Sequence, residues 1–278
     1  VKNPKMKKTI PQRLRQVRHV VLDMDGTIYL DEVLFATTIP FLRTLAELSI
    51  GHTFLTNNNS RSRADYVHRL QGMGLEVEPA AVFTSAHGTL EYLAVHLPDI
   101  RRVFVLGMPG LVEDLGRGGL TVTDRQPEAV IVGFDQQMTY DRLCQTAYWI
   151  EQGLPYLATH PDAVCPTRLP TVLPDCGSIC ALLEVATQRR PDVVPGKPSP
   201  AMLAGVMRQH DLQAAQLAMV GDRIYTDIKM ALMTGALGVL TLTGEATAAD
   251  AAQSMMPPDL IVKDLDELAC QLVAAKRD

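Results

Sequence analysis

The residues best placed to do chemistry are Asp23-Met-Asp-Gly-Thr27, directly behind the apolar run His19-Val-Val-Leu22. A short apolar run ending in acids reads as a buried strand that delivers its last residues to a sheet edge. In open α/β sheets that edge is where ligands bind. Two carboxylates one residue apart repel each other and lose hydration there, an arrangement that makes sense around a hard cation. Gly26 and Thr27 allow a tight turn and add a hydroxyl, although Asp and Gly favour turns without any ligand.

Three further stretches put polar groups at strand ends or helix starts. Thr56-Asn-Asn-Asn59 follows a strand ending at Leu55. Its hydroxyl and backbone N–H groups, with a helix soon after, make an anion cradle. Gly196-Lys-Pro-Ser-Pro200 sets one lysine in a proline-fixed loop ahead of a helix over 202–209. Gly221-Asp-Arg-Ile-Tyr-Thr-Asp227 follows a strand over 217–220 and supplies two acids five residues apart, at the strand end and at the next helix start. Singly, these are also an Asn-rich turn, a solvated lysine and a helix-capping acid.

The elements that must position them alternate in type. Apolar runs predict strands over 20–22, 52–56, 82–84, 102–106, 129–132, 155–158, 216–220, 238–242 and 259–262. Helical spacing marks 39–48, 62–73, 87–96, 140–152, 178–190 and 266–275, while 116–119 and 166–174 read as loops rich in Gly and Pro. Such alternation means a parallel sheet covered by helices.

The chain has 278 residues, 47% apolar and 21% charged, enough for one large domain or two ordinary ones with a sizeable core. Its net charge of −5 argues against general nucleic-acid binding. Lys2, Lys5, Lys7, Lys8, Arg13, Arg15 and Arg18 precede the first acid, leaving 19 basic against 31 acidic residues beyond them. Residues 1–17 therefore read as a basic, solvated, mobile terminus. That tail lacks the apolar core of a signal peptide, and no stretch approaches a membrane span. Five scattered cysteines suggest neither a disulfide framework nor a zinc site, and fit reduced thiols in a cytoplasmic protein. No P-loop and no Gly-x-Gly-x-x-Gly fingerprint occurs, which disfavours a P-loop kinase and a dinucleotide-binding dehydrogenase.

The order acid pair, hydroxyl, lysine, acid pair, each behind its own segment, resembles the haloacid dehalogenase superfamily of phosphohydrolases. Asp23-Met-Asp-Gly-Thr27, Thr56-Asn-Asn58, Gly196-Lys-Pro198 and Gly221-Asp-Arg-x-x-Thr-Asp227 look like its four motifs. Within it the chain is similar to the NagD-like branch of p-nitrophenyl, nucleotide and pyridoxal phosphatases. That branch carries a large α/β cap between the second and third motifs. Here 140 residues lie between Thr56 and Lys197, against 32 between Asp23 and Thr56. The resemblance covers the chain from about Arg18 onward. It implies a doubly wound parallel sheet, a Rossmann-like core over 18–98 and 191–278, with a smaller inserted α/β cap over 99–190 that chooses the substrate.

By that resemblance Asp23 is the nucleophile that forms an aspartyl phosphate, and Asp25 protonates the leaving alcohol before activating the hydrolytic water. Asp25 needs a proton at its first step, so neighbouring acids are expected to raise its pKa. Mg²⁺ would be held by the Asp23 carboxylate, the Asp25 carbonyl and Asp222, with Asp227 behind them keeping the arrangement. Thr56, Asn57 and Lys197 would bind phosphoryl oxygens. The implied partner is a small phosphomonoester, with neither nucleic acid nor membrane, and the branch is compatible with a homodimer.

Charge counting points to a metal independently. Asp23, Asp25, Asp222 and Asp227 contribute up to −4 against one lysine, and a phosphomonoester adds nearly −2 more. The cap's candidate contacts lie in Gly133-Phe-Asp135, Thr159-His-Pro-Asp162 and Asp175-Cys-Gly-Ser178. The branch more often has Asn-Pro-Asp where this chain has His160-Pro-Asp162, and a Gly-x-Gly-Ser turn where it has Asp175-Cys-Gly-Ser178. His160 reads either as a structural loop histidine or as a leaving-group contact. Two other readings use the same acids: a phosphomutase or phosphotransferase, and a phospho-accepting receiver module. Neither of Asp25's acid–base duties nor the large insertion is needed by a receiver.

Overall fold

The computed structural model describes residues 8–165 and 170–277. Its largest sheet has six parallel strands, in the order Leu260–Val262, Leu237–Thr241, Leu217–Gly221, His19–Asp23, Gly51–Thr56 and Val82–Thr84. The chain winds outward from His19–Asp23 in one direction and returns to its other side with Leu217–Gly221. The doubly wound sheet therefore reverses between those two strands, where ligands bind outside the strand carboxyl ends. Leu22 registers with Val220 and Asp23 with Leu55, so Asp23, Asp222 and the residue before Thr56 all reach that one edge. The central strands are buried on both faces, which is why they read as continuous apolar runs.

The chain divides into two compact units, one of Val1–Leu55 with Val206–Asp278 and the other Thr56–Gly205. In the first, the helix Ile10–Gln16 starts at a Thr9 capping box and buries Leu14. Arg13 pairs with Asp259, Arg15 Nε donates to Ala275 O at 3.1 Å, and Lys276 Nζ donates to Arg15 O and Val17 O at 2.9 and 2.8 Å. The expected solvated tail is thus a packed helix over this part. Lys2, Lys5 and Lys7 lie outside the described residues.

The second unit holds a separate parallel sheet in the order Thr121–Val122, Arg102–Leu106, Ala129–Val132 and Tyr156–Ala158. Strand side chains alternate between faces, and the two cores follow that alternation. Phe104, Leu106, Val130, Val132, Tyr156 and Ala158 meet Ile150 and the helix Cys176–Thr187. Val103, Val105, Ala129, Ile131 and Leu157 meet Leu93, Leu111 and Leu115 from two other helices.

Each of the nine expected strands appears, within a residue or two of its expected bounds. The helix Pro109–Arg117 was not expected, because its Gly110, Gly116 and following glycines read as loop. Part of the 166–174 loop forms an antiparallel pair, Val164–Cys165 with Leu173–Pro174, and residues 166–169 lie outside the described residues. Among the described residues no helix is long and apolar enough to cross a membrane.

Docking of the N-terminal helix is testable through its one buried leucine. Leu14→Ala should lower stability by about 2–4 kcal/mol in denaturant titrations. An unchanged midpoint would mean that the helix does not pack.

Candidate active site

Asp23 ends its strand at 7% exposure, and the chain turns at once. Gly26 makes that turn at φ +81, and a side chain there would strike Asp222 Oδ2. Thr243 Oγ1 donates to Gly26 O at 2.6 Å and fixes the turn from the far strand's loop. Asp25, within that turn, is exposed and receives the Tyr29 hydroxyl at 3.3 Å.

Asp222 follows its strand at 2% exposure. Its Oδ2 accepts Glu245 N at 2.7 Å, whereas Oδ1 is buried with no hydrogen-bond partner. Asp227 is wholly buried in a π-helical turn, Ile224–Ile228, which runs into the helix Lys229–Thr234. Such turns recur at functional sites. Its Oδ2 accepts Arg223 N at 3.2 Å, and its side chain lies so close to Gly221 that no Cβ fits there. Ligand atoms of Asp23, Asp222 and Asp227 all lie within 4.8 Å of one another.

Burial, then Asp23 and Asp227, push Asp222 up to about 7 from its ordinary 3.8. A hard divalent cation fits this place. The donors are carboxylate oxygens, and the unpartnered Oδ1 is a buried acceptor of the kind a cation satisfies.

The second unit brings together two of the residues expected to bind phosphate. Asn57 grips the backbone of Lys197 from both amide atoms: Lys197 N donates to Oδ1 at 2.7 Å, and Nδ2 donates to Lys197 O at 3.0 Å. Asn57 Nδ2 also reaches Asp162 Oδ2 at 3.1 Å, and Ser85 Oγ donates to Asn57 O at 2.6 Å. Thr56 Oγ1 accepts Asn58 N at 3.1 Å, an ordinary turn contact. Lys197 is only 4% exposed. His160 is fully buried with both ring nitrogens engaged, so it is the structural histidine rather than a leaving-group contact.

Sequence reasoning missed Glu245, whose backbone holds Asp222, and Ser85, which holds Asn57; Asp162, singled out as a candidate cap contact, also holds Asn57. The signal for Glu245 was available: Thr243-Gly-Glu245 stands behind an apolar strand, as the other motifs do. Asp162 and Ser85 act only through contacts distant in sequence.

The chain is similar to known proteins over most of its length. Residues 20–121 match the family of haloacid dehalogenase-like hydrolases, and residues 194–268 match a HAD-hydrolase-like family. A crystal structure of a 4-nitrophenylphosphatase from Thermotoga maritima is 38% identical, with a TM-score of 0.88 over 93% of this chain and 98% of that one. An acid sugar phosphatase of Staphylococcus aureus is 29% identical over 93% of this chain and 99% of its own. A glycerol phosphate phosphatase of Mycobacterium tuberculosis, solved in complex with magnesium, is 30% identical with a TM-score of 0.83 over 94% and 78%. The chain belongs to the haloacid dehalogenase-like hydrolases, in the branch of NagD and the p-nitrophenyl phosphatases. It is a phosphatase.

The raised Asp222 gives a signed prediction. Between about pH 4 and 7 the cation-free folded state holds a proton that the unfolded chain releases, so stability falls as pH rises through that window. Asp222→Asn removes this dependence and should stabilise the cation-free protein at pH 8 by about 1–3 kcal/mol. The same variant should lose the rise in melting temperature that Mg²⁺ gives the parent protein. Melting curves with and without Mg²⁺ check both effects, and retained Mg²⁺ stabilisation would remove Asp222 from the ligand set.

Proposed function

We propose that this phosphatase hydrolyses a small phosphorylated metabolite through a phosphorylated Asp23. The observation that carries the reading is the buried meeting of Asp23, Asp222 and Asp227, with Asp222 Oδ1 left unpartnered. The Asp23 carboxylate attacks phosphorus, and the ester oxygen leaves with a proton from Asp25. Asp25 then takes a proton from water, which attacks the acyl phosphate and returns Asp23 to its free carboxylate with release of inorganic phosphate. The exposure of Asp25 and its contact with the Tyr29 hydroxyl suit a group that exchanges protons with solvent.

Mg²⁺ would be held by the Asp23 and Asp222 carboxylates and the Asp25 carbonyl, and would supply charge neutralisation that lets a dianionic phosphate approach the acids. Asp227 keeps Asp222 and the strand end in place through its bond from Arg223 N. Lys197 and the Thr56 hydroxyl bind the phosphoryl oxygens. The Asn57 side chain already holds Lys197, so its share in phosphate binding falls to its backbone N–H.

The inserted cap over 99–190 closes on the leaving group and sets substrate choice. The relatives' names point to sugar phosphates, glycerol phosphate and p-nitrophenyl phosphate, and the branch adds nucleotides and pyridoxal phosphate.

A phosphate-release screen over phosphomonoesters with Mg²⁺ present tests the activity and names the substrate. Chelation should abolish turnover and Mg²⁺ restore it; full activity in excess chelator defeats the metal reading. Asp23→Asn should lower kcat by about 10³-fold or more and leave no trapped phosphoenzyme. Transfer of phosphate to a second hydroxyl, with little inorganic phosphate released, would favour a mutase instead.

A further inference from the structure

Several short segments of the second unit meet at one imidazole. His160 is wholly buried, with Nε2 2.9 Å from Asp175 Oδ1 and Nδ1 2.9 Å from Thr159 Oγ1. Asp175 caps the helix Cys176–Thr187, its Oδ1 also accepting Cys176 N at 2.6 Å. The start of that helix holds the chain beyond His160. Gly177 N donates to Asp162 O at 2.8 Å, Ser178 Oγ to Ala163 O at 2.7 Å, and Asp175 N to Ala163 O at 2.9 Å. A side chain at Gly177 would strike Pro161 O. The turn over 159–163 is pinned along its length.

From that turn, two contacts reach the lysine loop. Asp162 Oδ2 accepts the Asn57 amide that grips Lys197. On the other side Gly196 lies against Thr159 and His160, where a Cβ would strike Thr159 O and press on His160 Cβ. The lysine's backbone is therefore framed by Asn57 and by the turn that His160 stiffens.

The groups facing His160 are Asp175, Asp162 and Cys176. Burial opposes a charged ring. The Asp175 hydrogen bond and the Asp175 and Asp162 carboxylates oppose that and hold the imidazole above its ordinary 6.5. Burial also keeps the Cys176 thiol protonated, so the carboxylates are the source of that effect. Ligand atoms of His160, Asp162 and Asp175 lie within 4.8 Å of one another, but each side chain already has a hydrogen-bond partner within the protein. The cluster is an ion pair with a neighbour rather than a place for a metal. The pair joins two of the three cap segments that the sequence singles out.

We propose that His160 and Asp175 are positioning residues for the phosphate-binding lysine: their buried pair fixes the turn over 159–163, and Asp162, Asn57 and Gly196 transmit that fixed position to Lys197. The inference rests on the reading that Lys197 binds the transferring phosphoryl group.

The test measures kcat, KM and the inhibition constant of inorganic phosphate, alongside melting temperature, in H160N, H160Q, D175N and the H160N/D175N double variant. H160N and D175N should each raise KM and the phosphate inhibition constant about tenfold with a smaller change in kcat, the effect of losing one charge-assisted hydrogen bond. The double variant should be no worse than the poorer single, as expected for one shared interaction. H160Q keeps a donor at the reach of Nε2 and should restore phosphate affinity to within about threefold of the parent, and it serves if H160N fails to fold. Variants that melt lower yet bind phosphate normally would make the pair purely structural and overturn the proposal, as would additive losses in the double variant. Lys197→Ala is the separate control: if it leaves phosphate inhibition unchanged, the lysine reading fails and this inference goes with it.

Discussion

Mutual repulsion among buried carboxylates is the constraint on which the rest of this structure depends. Asp23, Asp222 and Asp227 are at most 7% exposed, and their oxygens lie within 4.8 Å of one another. Like charges so close and so dry are unstable unless something of opposite sign is supplied or a proton is taken up. The upward shift of Asp222 is the second response, and its unpartnered oxygen is the opening for the first. The sheet makes the crowding unavoidable. Parallel strands that reverse direction of winding at one point must end side by side, and two of those ends carry acids.

The lysine side of the chemistry is built on different terms. Lys197 lies in the loop ahead of the helix Pro200–His210. Its backbone is clasped by an amide 140 residues away in sequence, and that amide is braced by Asp162 and Ser85. Backbone clasping defines the point from which the lysine side chain starts. Positioning of this kind is worth most where displacement by an ångström changes rates strongly.

Much of this was legible in the sequence because buried parallel strands write themselves as apolar runs. His19–Asp23, Arg102–Leu106 and Leu217–Gly221 are such runs, and each is buried over nearly its whole length. The acids behind them were legible for the same reason, since a polar residue just past such a run stands out. The helix Ile10–Gln16 was not, because four of its seven residues are Arg or Gln, two of them bonded to distant backbone, and only Leu14 is buried. Pro109–Arg117 was hidden by its glycines, one of which is needed where the helix passes Arg61 and Ser62. His160 was ambiguous because a buried imidazole and a solvent-facing one look alike until Asp175 is placed beside it. Asp162 and Ser85 hold Asn57 through long-range contacts that no local pattern encodes.

One topological fact bears on how the molecule is made. The first unit is split, with Val1–Leu55 at one end of the chain and Val206–Asp278 at the other, while Thr56–Gly205 is continuous. During synthesis the continuous unit emerges whole before its neighbour's second half exists. The strand His19–Asp23 must wait for Leu217–Gly221, its partner on one flank, with its acids facing water in the meantime. The carboxylate cluster therefore cannot form until residues 222–227 have followed the whole continuous unit.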